Sequence, residues 1–101
     1  MLLSELTHEN TRQFIGDTFR ITFDDGNVME LKLERVDLLL EKHLNPKMKR
    51  DAFALIFRGP NNLVLRQHMY PLEHTTLGVL PVFLVPIAME KPGALYEAVF
   101  N

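Results

Sequence analysis

The sequence predicts a mainly β fold: a small antiparallel barrel or sandwich of about six or seven strands with one short N-terminal helix. Three observations carry this reading. Apolar and polar residues swap at every second position between Phe19 and Leu33. Turn residues recur at short intervals, in Asp24-Asp25-Gly26-Asn27, Gly59-Pro60-Asn61-Asn62, Thr75-Thr76-Leu77-Gly78 and Lys91-Pro92-Gly93. Between the last two lies Leu80-Pro81-Val82-Phe83-Leu84-Val85-Pro86-Ile87, a run apolar on both faces that needs cover on both.

The helix comes first. Thr7 is placed as an N-cap, with Glu9 in the first turn and Asn10 where a capping box carries Glu or Gln. The helix is expected from His8 to Ile15, stopped by Gly16. Leu3, Leu6, Phe14 and Ile15 are expected to pin it to the sheet.

From Asp17 to Phe23 the residues Phe19, Ile21 and Phe23 share one face, and Met29, Leu31 and Leu33 do the same on the next strand. These patterns choose the turn. A two-residue Asp25-Gly26 loop sets Ile21 opposite Glu30 and mixes the faces. A three-residue loop, Asp24 to Gly26, sets Ile21 opposite Met29, Phe19 opposite Leu31 and Arg20 opposite Glu30, with Gly26 left-handed. After Glu34 the apolar phase slips to Val36, Leu38 and Leu40, which calls for a bulge near Arg35 or the strand's end. Glu41 to Arg50 reads as a polar loop holding Lys42, His43, Lys47, Lys49 and Arg50. A phosphate-binding patch and a solvated hairpin tip compete there, and the lack of aromatics favours the tip.

The third strand sets Phe53, Leu55 and Phe57 on one face and Ala52, Ala54 and Ile56 on the other. A strand apolar on both sides belongs in the middle of a sheet. Leu63 to Leu65 reads as loop or short strand, and Gln67 to His74 as a strand bent or placed at an edge by Pro71. The prolines of Leu80 to Ile87 require a free or bulged margin. Lys91-Pro92-Gly93 reads as a type II turn with Pro92 and Gly93 central, before the closing strand Leu95 to Phe100.

A chain of 101 residues makes one domain, 1–101. Its 47% apolar share suffices for a core. The net charge of -2 gives no field for nucleic acid or an anionic membrane, so neither is an expected partner. The absence of Cys removes disulfides and thiolate chemistry. No signal peptide pattern is seen, and the run from Leu77 to Met89 is too short to span a bilayer, so the cytoplasm is the default location.

Little here points to catalysis. His68 and His74 lie about 20 Å apart on an extended strand and do not share an ion, so no metal and no cofactor are expected. Ser4 lacks a nucleophile-elbow context. The five glycines are isolated and form no phosphate cradle. An acid–base pair of His74 with a distant carboxylate, in a hydrolase-like enzyme, is the weakest of three functional readings. A small-ligand-binding barrel is the second, with Arg58, Gln67, Tyr70 and His74 as ligand-binding residues at its mouth. The first is a non-enzymatic protein-interaction or assembly module. It rests on surplus apolar strand surface, with Leu38, Leu40, Val82 and Leu84 as the interaction surface and a second copy or another protein as partner.

The set Phe57-Arg58-Gly59-Pro60, Gln67, Tyr70, Leu72-Glu73-His74, Leu77-Gly78, Phe83-Leu84-Val85-Pro86 and Tyr96-Glu97-Ala98-Val99-Phe100-Asn101 resembles a family of small bacterial domains of unknown function. The resemblance extends over nearly the whole chain, the Phe19 to Leu33 hairpin included. It implies a small stand-alone bacterial protein associated with phage-tail-collar-like proteins, and it brings no catalytic residue with it.

Overall fold

The alternation that begins at Phe19 builds the first hairpin. In β1 (Thr18–Thr22) and β2 (Val28–Leu40), Phe19 pairs with Leu31, Arg20 with Glu30 and Ile21 with Met29. The Gly26 N–H donates to the Phe23 carbonyl and Gly26 has φ of 88°, which makes Asp24 to Gly26 the three-residue loop that the side-chain faces demand. The structure, a computed structural model describing residues 2–101, continues with β3 (Ala52–Arg58), β4 (His68–His74), β5 (Gly78–Glu90) and β6 (Gly93–Phe100). All neighbouring strands are antiparallel and close into a barrel in the order β1-β2-β3-β6-β5-β4.

Three register shifts let the long strands change phase, two in β2, between Leu33 and Arg35 and between Leu38 and Leu40, and one in β5. In β2 the register slips between Leu33 and Arg35, so Val36 rather than Arg35 turns inward, opposite Leu55. β5 pairs with β4 as far as Leu84 and with β6 from Val85 onward, and slips between Pro86 and Ala88. That slip is the irregular margin its prolines require.

Phe19, Ile21, Leu31, Phe57, Leu72, Leu84 and Tyr96 fill the interior. Phe19 meets Phe57 edge-on at 5.1 Å, and Phe53 stacks on Phe100 at 5.1 Å. β3 is paired along its length with β2 and β6, and both of its faces are buried, as its composition requires. Its second face buries Ala54 and Ile56 in a separate small cluster with Leu95.

The N-terminal segment covers one end of the barrel. Thr7 Oγ1 accepts the Asn10 N–H, and Asn10 Oδ1 accepts the Thr7 N–H, so Asn completes the capping box. The helix is shorter than expected. α1 spans His8–Thr11 and tightens into a 3-10 turn over Arg12–Phe14, ahead of left-handed Gly16. Leu6 and Phe14 are buried; Ile15 is exposed and pins nothing. Arg50 ties this segment down. Its Nη1 donates to the Leu3 and Leu6 carbonyls at 2.8 and 2.7 Å, its Nε donates to the Asn101 carbonyl, and its guanidinium lies over Phe53 and Phe100.

Of the remaining expectations two gain detail and one changes. Leu63 to Leu65 is loop, one of the two forms expected. The Glu41–Arg50 segment contains a 3-10 turn, Lys42–Leu44, and turns Arg50 inward to main-chain carbonyls, away from the other basic side chains of that loop. The last turn is not type II: Glu90 pairs with Gly93, which leaves Lys91 and Pro92 central, joined by a cis peptide bond. Gly93 therefore serves as a strand residue, and the need for glycine there is one of space. A Cβ on Gly93 would lie 1.9 Å from the Gly59 carbonyl oxygen, a main-chain atom that no rotamer change can move. Replacing Gly93 by Ala is expected to lower stability by about 3 kcal/mol. Urea denaturation measures this, and an unchanged midpoint contradicts the close approach.

Candidate functional site

His74 ends β4 on its inward face, where the barrel wall meets the N-terminal segment. Its ring packs edge-on to Phe14 at 5.0 Å and tilted against Phe19 at 4.6 Å. Nδ1 accepts the Thr76 and Leu77 main-chain N–H groups at 3.1 and 3.2 Å. These donors put the ring proton on Nε2, which donates to Asp17 Oδ2 at 2.8 Å. A His–carboxylate pair is thus present, beside a shallow cleft that also contains Arg20 and Glu73. Both nitrogens are already engaged, and the side chain is 3% exposed. Nδ1 is held by two main-chain donors and Nε2 by Asp17, so the pair anchors the backbone of the turn into β5.

Arg58 is likewise committed. Its Nε donates to Glu34 Oε2, its Nη2 to Glu34 Oε1 at 2.8 Å, and its Nη1 to the carbonyls of Glu90 and Gly93 at 3.1 Å each. This fork fastens β2 to the β5–β6 hairpin. The hydrogen bonds and charge of Arg58 hold the Glu34 carboxyl below the usual carboxylate range, and Glu34 and Glu90 raise the Arg58 guanidinium in turn.

Tyr70 stands apart from both, in a cleft of about 1090 Å³ at the end of the barrel. Phe23, Met29, Leu65 and Pro60 line it with Glu30 and Arg66, and the Tyr70 hydroxyl donates to the Arg66 carbonyl at 2.8 Å. Tyr96, fully buried, holds the adjoining loop: its hydroxyl oxygen accepts the Leu65 N–H at 2.8 Å, and burial pushes the phenol up. Gln67 is exposed on the approach to β4. Arg58, Gln67, Tyr70 and His74 therefore do not converge on one mouth. The order of the strands disperses them, which reading along the chain cannot show.

The proposed interaction residues divide in the same way. Leu38 and Leu40 are exposed at the end of β2. Val82 and Leu84, at 3% and 0% exposure, point into the core and belong to no surface. β5 was apolar on both faces, and the barrel took Leu80, Val82 and Leu84 inside. Pro81 and Phe83 are left facing solvent. On β4 the matching outward residues are Met69 and Pro71, and the register sets Met69 beside Phe83 and Pro71 beside Pro81. Val79, beside Glu73, extends the strip.

One cluster was missed. His8 Nε2 lies 3.2 Å from Glu9 Oε1 and 3.1 Å from Asp51 Oδ2, although His8 and Asp51 are 43 residues apart. Asp51 Oδ1 also accepts the Lys42 N–H at 2.6 Å, and that hydrogen bond, with His8, depresses the Asp51 carboxyl. The adjacent His8-Glu9 at a capped helix start was the available signal; nothing local named Asp51 as its partner.

A closed, six-stranded antiparallel barrel with a filled interior and an apolar outer strip is the class of protein that these features define. The chain belongs to the family described as Domain of unknown function (DUF6916), whose model matches residues 6–100. No curated protein and no solved structure matches the chain at a significant level. Among the described residues, no helix is long and apolar enough to cross a membrane.

Two outcomes test these assignments. Substituting His74 by Phe keeps the aromatic packing but strips Thr76 and Leu77 of their acceptor. A loss of about 2–3 kcal/mol in urea denaturation is expected, and a neutral effect contradicts the clamp. The second is pH dependence. Because Glu34 is depressed in the folded state, its contribution is complete above the ordinary carboxylate value of about 4.3 and is lost as pH falls through the lower folded value. Urea midpoints taken from neutral to strongly acidic pH should fall more steeply in the wild type than in Glu34→Gln. Parallel curves refute the assignment.

Proposed function

We propose that this domain is a non-enzymatic protein-interaction or assembly module that docks through the outer face of β4 and β5. One observation carries the reading. The solvent side of an antiparallel strand pair normally alternates to polar residues, yet here Met69, Pro71, Val79, Pro81 and Phe83 are exposed together and Glu73 is the one charged residue among them. Val79 is 60%, Met69 51% and Phe83 47% exposed, which is costly surface for a small domain to leave in water. The partners to examine are a second copy of the chain and a phage-tail-collar-like protein.

The cleft beside Tyr70 supports a second reading, as a site for a small apolar ligand with one polar end. Its apolar walls and the Glu30 and Arg66 side chains at its margin suit such a ligand.

Phe83→Asp with Met69→Asp separates the two. Both side chains are outward, so the fold should persist. Light scattering and a pull-down from native cells should show an assembly or captured protein with the wild type and its loss with the double variant. A monomeric wild type that captures the same proteins as the variant removes the interaction reading.

A further inference from the structure

We propose that His8, Glu9 and Asp51 form a binding site for one divalent transition-metal ion of the zinc class. The three donor atoms lie within 4.8 Å of one another. The two distances from His8 Nε2, 3.2 Å to Glu9 and 3.1 Å to Asp51, are close to the spacing of tetrahedral ligands. Ligands about 2.0–2.1 Å from zinc sit about 3.3 Å from each other. The donors are already mutually placed, and a small contraction or expansion of side chains would seat an ion.

The surroundings place the backbone of His8 and Glu9 and the side chain of Asp51. The Thr7–Asn10 capping box fixes the first turn of α1, where His8 and Glu9 reside. Asp51 is oriented through Oδ1 by the Lys42 N–H, which leaves Oδ2 directed at the imidazole. This is the outer support that metal-binding carboxylates use.

The imidazole separates this cluster from an ordinary group of surface acids. His8 is only 17% exposed, and its Nδ1 is buried with no hydrogen-bond partner. Nε2 is then the ring's one outlet, and it faces two carboxylates. A single N–H satisfies one of them well, whereas a cation satisfies all three donors at once. Ligation through Nε2 places the ring proton on Nδ1, so the metal-bound tautomer carries its N–H in that buried position. A nitrogen donor beside two carboxylates selects zinc, cobalt or nickel over magnesium or calcium, which prefer oxygen alone. Glu9 is 74% exposed, so the remaining coordination position opens to water. A bound ion would join the start of α1 to the connection between β2 and β3. The three residues lie outside the β4–β5 face, so the ion site and the docking face are independent of each other.

The test is calorimetric titration of metal-stripped full-length protein with zinc chloride and with magnesium chloride, paired with thermal unfolding. One zinc per chain, a raised unfolding temperature and no magnesium binding are expected. His8→Ala, Asp51→Asn and Glu9→Gln should each weaken zinc binding about tenfold or more, and His43→Ala and His68→Ala should leave it unchanged. Glu9 is exposed, so its variant reports on the site even if the other two disturb folding. Absence of saturable zinc binding overturns the proposal. So does binding that survives Glu9→Gln and His8→Ala.

Discussion

The ring closes between β1 and β4 at a single register pair, Arg20 opposite Glu73. Pro71, two residues from that pair, lacks the N–H that would extend the ladder. His74 supplies what the ladder does not. Its Nε2 reaches Asp17 on the approach to β1, and its Nδ1 gathers the two N–H groups of the turn into β5. One ring thus fastens the first strand to the fourth and shapes the turn that follows. Phe14 and Phe19 enclose it, so these polar contacts act at reduced dielectric, where each is stronger and each missing partner more costly.

Closure has a price in chemistry. The histidine best placed to act with a carboxylate spends both nitrogens on structure, and Arg58 spends its guanidinium on Glu34 and on two carbonyls of the β5–β6 hairpin. Side chains fill the inside of the barrel. The groups that remain for other molecules are therefore outside it: the apolar strip on β4 and β5, the cleft beside Tyr70, and the small polar cluster where α1 meets the β2–β3 connection.

Local pattern was enough wherever the two sides of a strand differ in polarity. The β1–β2 register follows from Phe19, Ile21, Met29 and Leu31, because a one-residue slip would bury Glu30 or expose a large apolar side chain, and from the short loop that Gly26 closes. The bulge near Arg35 follows from the change of phase to Val36, and the helix start from Thr7 and Asn10. Pattern failed where both sides are alike. In β5 the choice between Val82 with Leu84 and Pro81 with Phe83 is invisible along the chain, since either set is apolar enough to be core.

What the sequence alone determined, then, is the strand content, the first hairpin and its three-residue loop, and the burial of both faces of β3. What the tertiary structure decided is which face of β5 is core, the pairing of His74 with Asp17 across 57 residues, and that of His8 with Asp51 across 43. The reason is one of range. Alternation is a property of neighbours two positions apart, set by the pleat, whereas these choices depend on which distant strands become adjacent when the sheet closes.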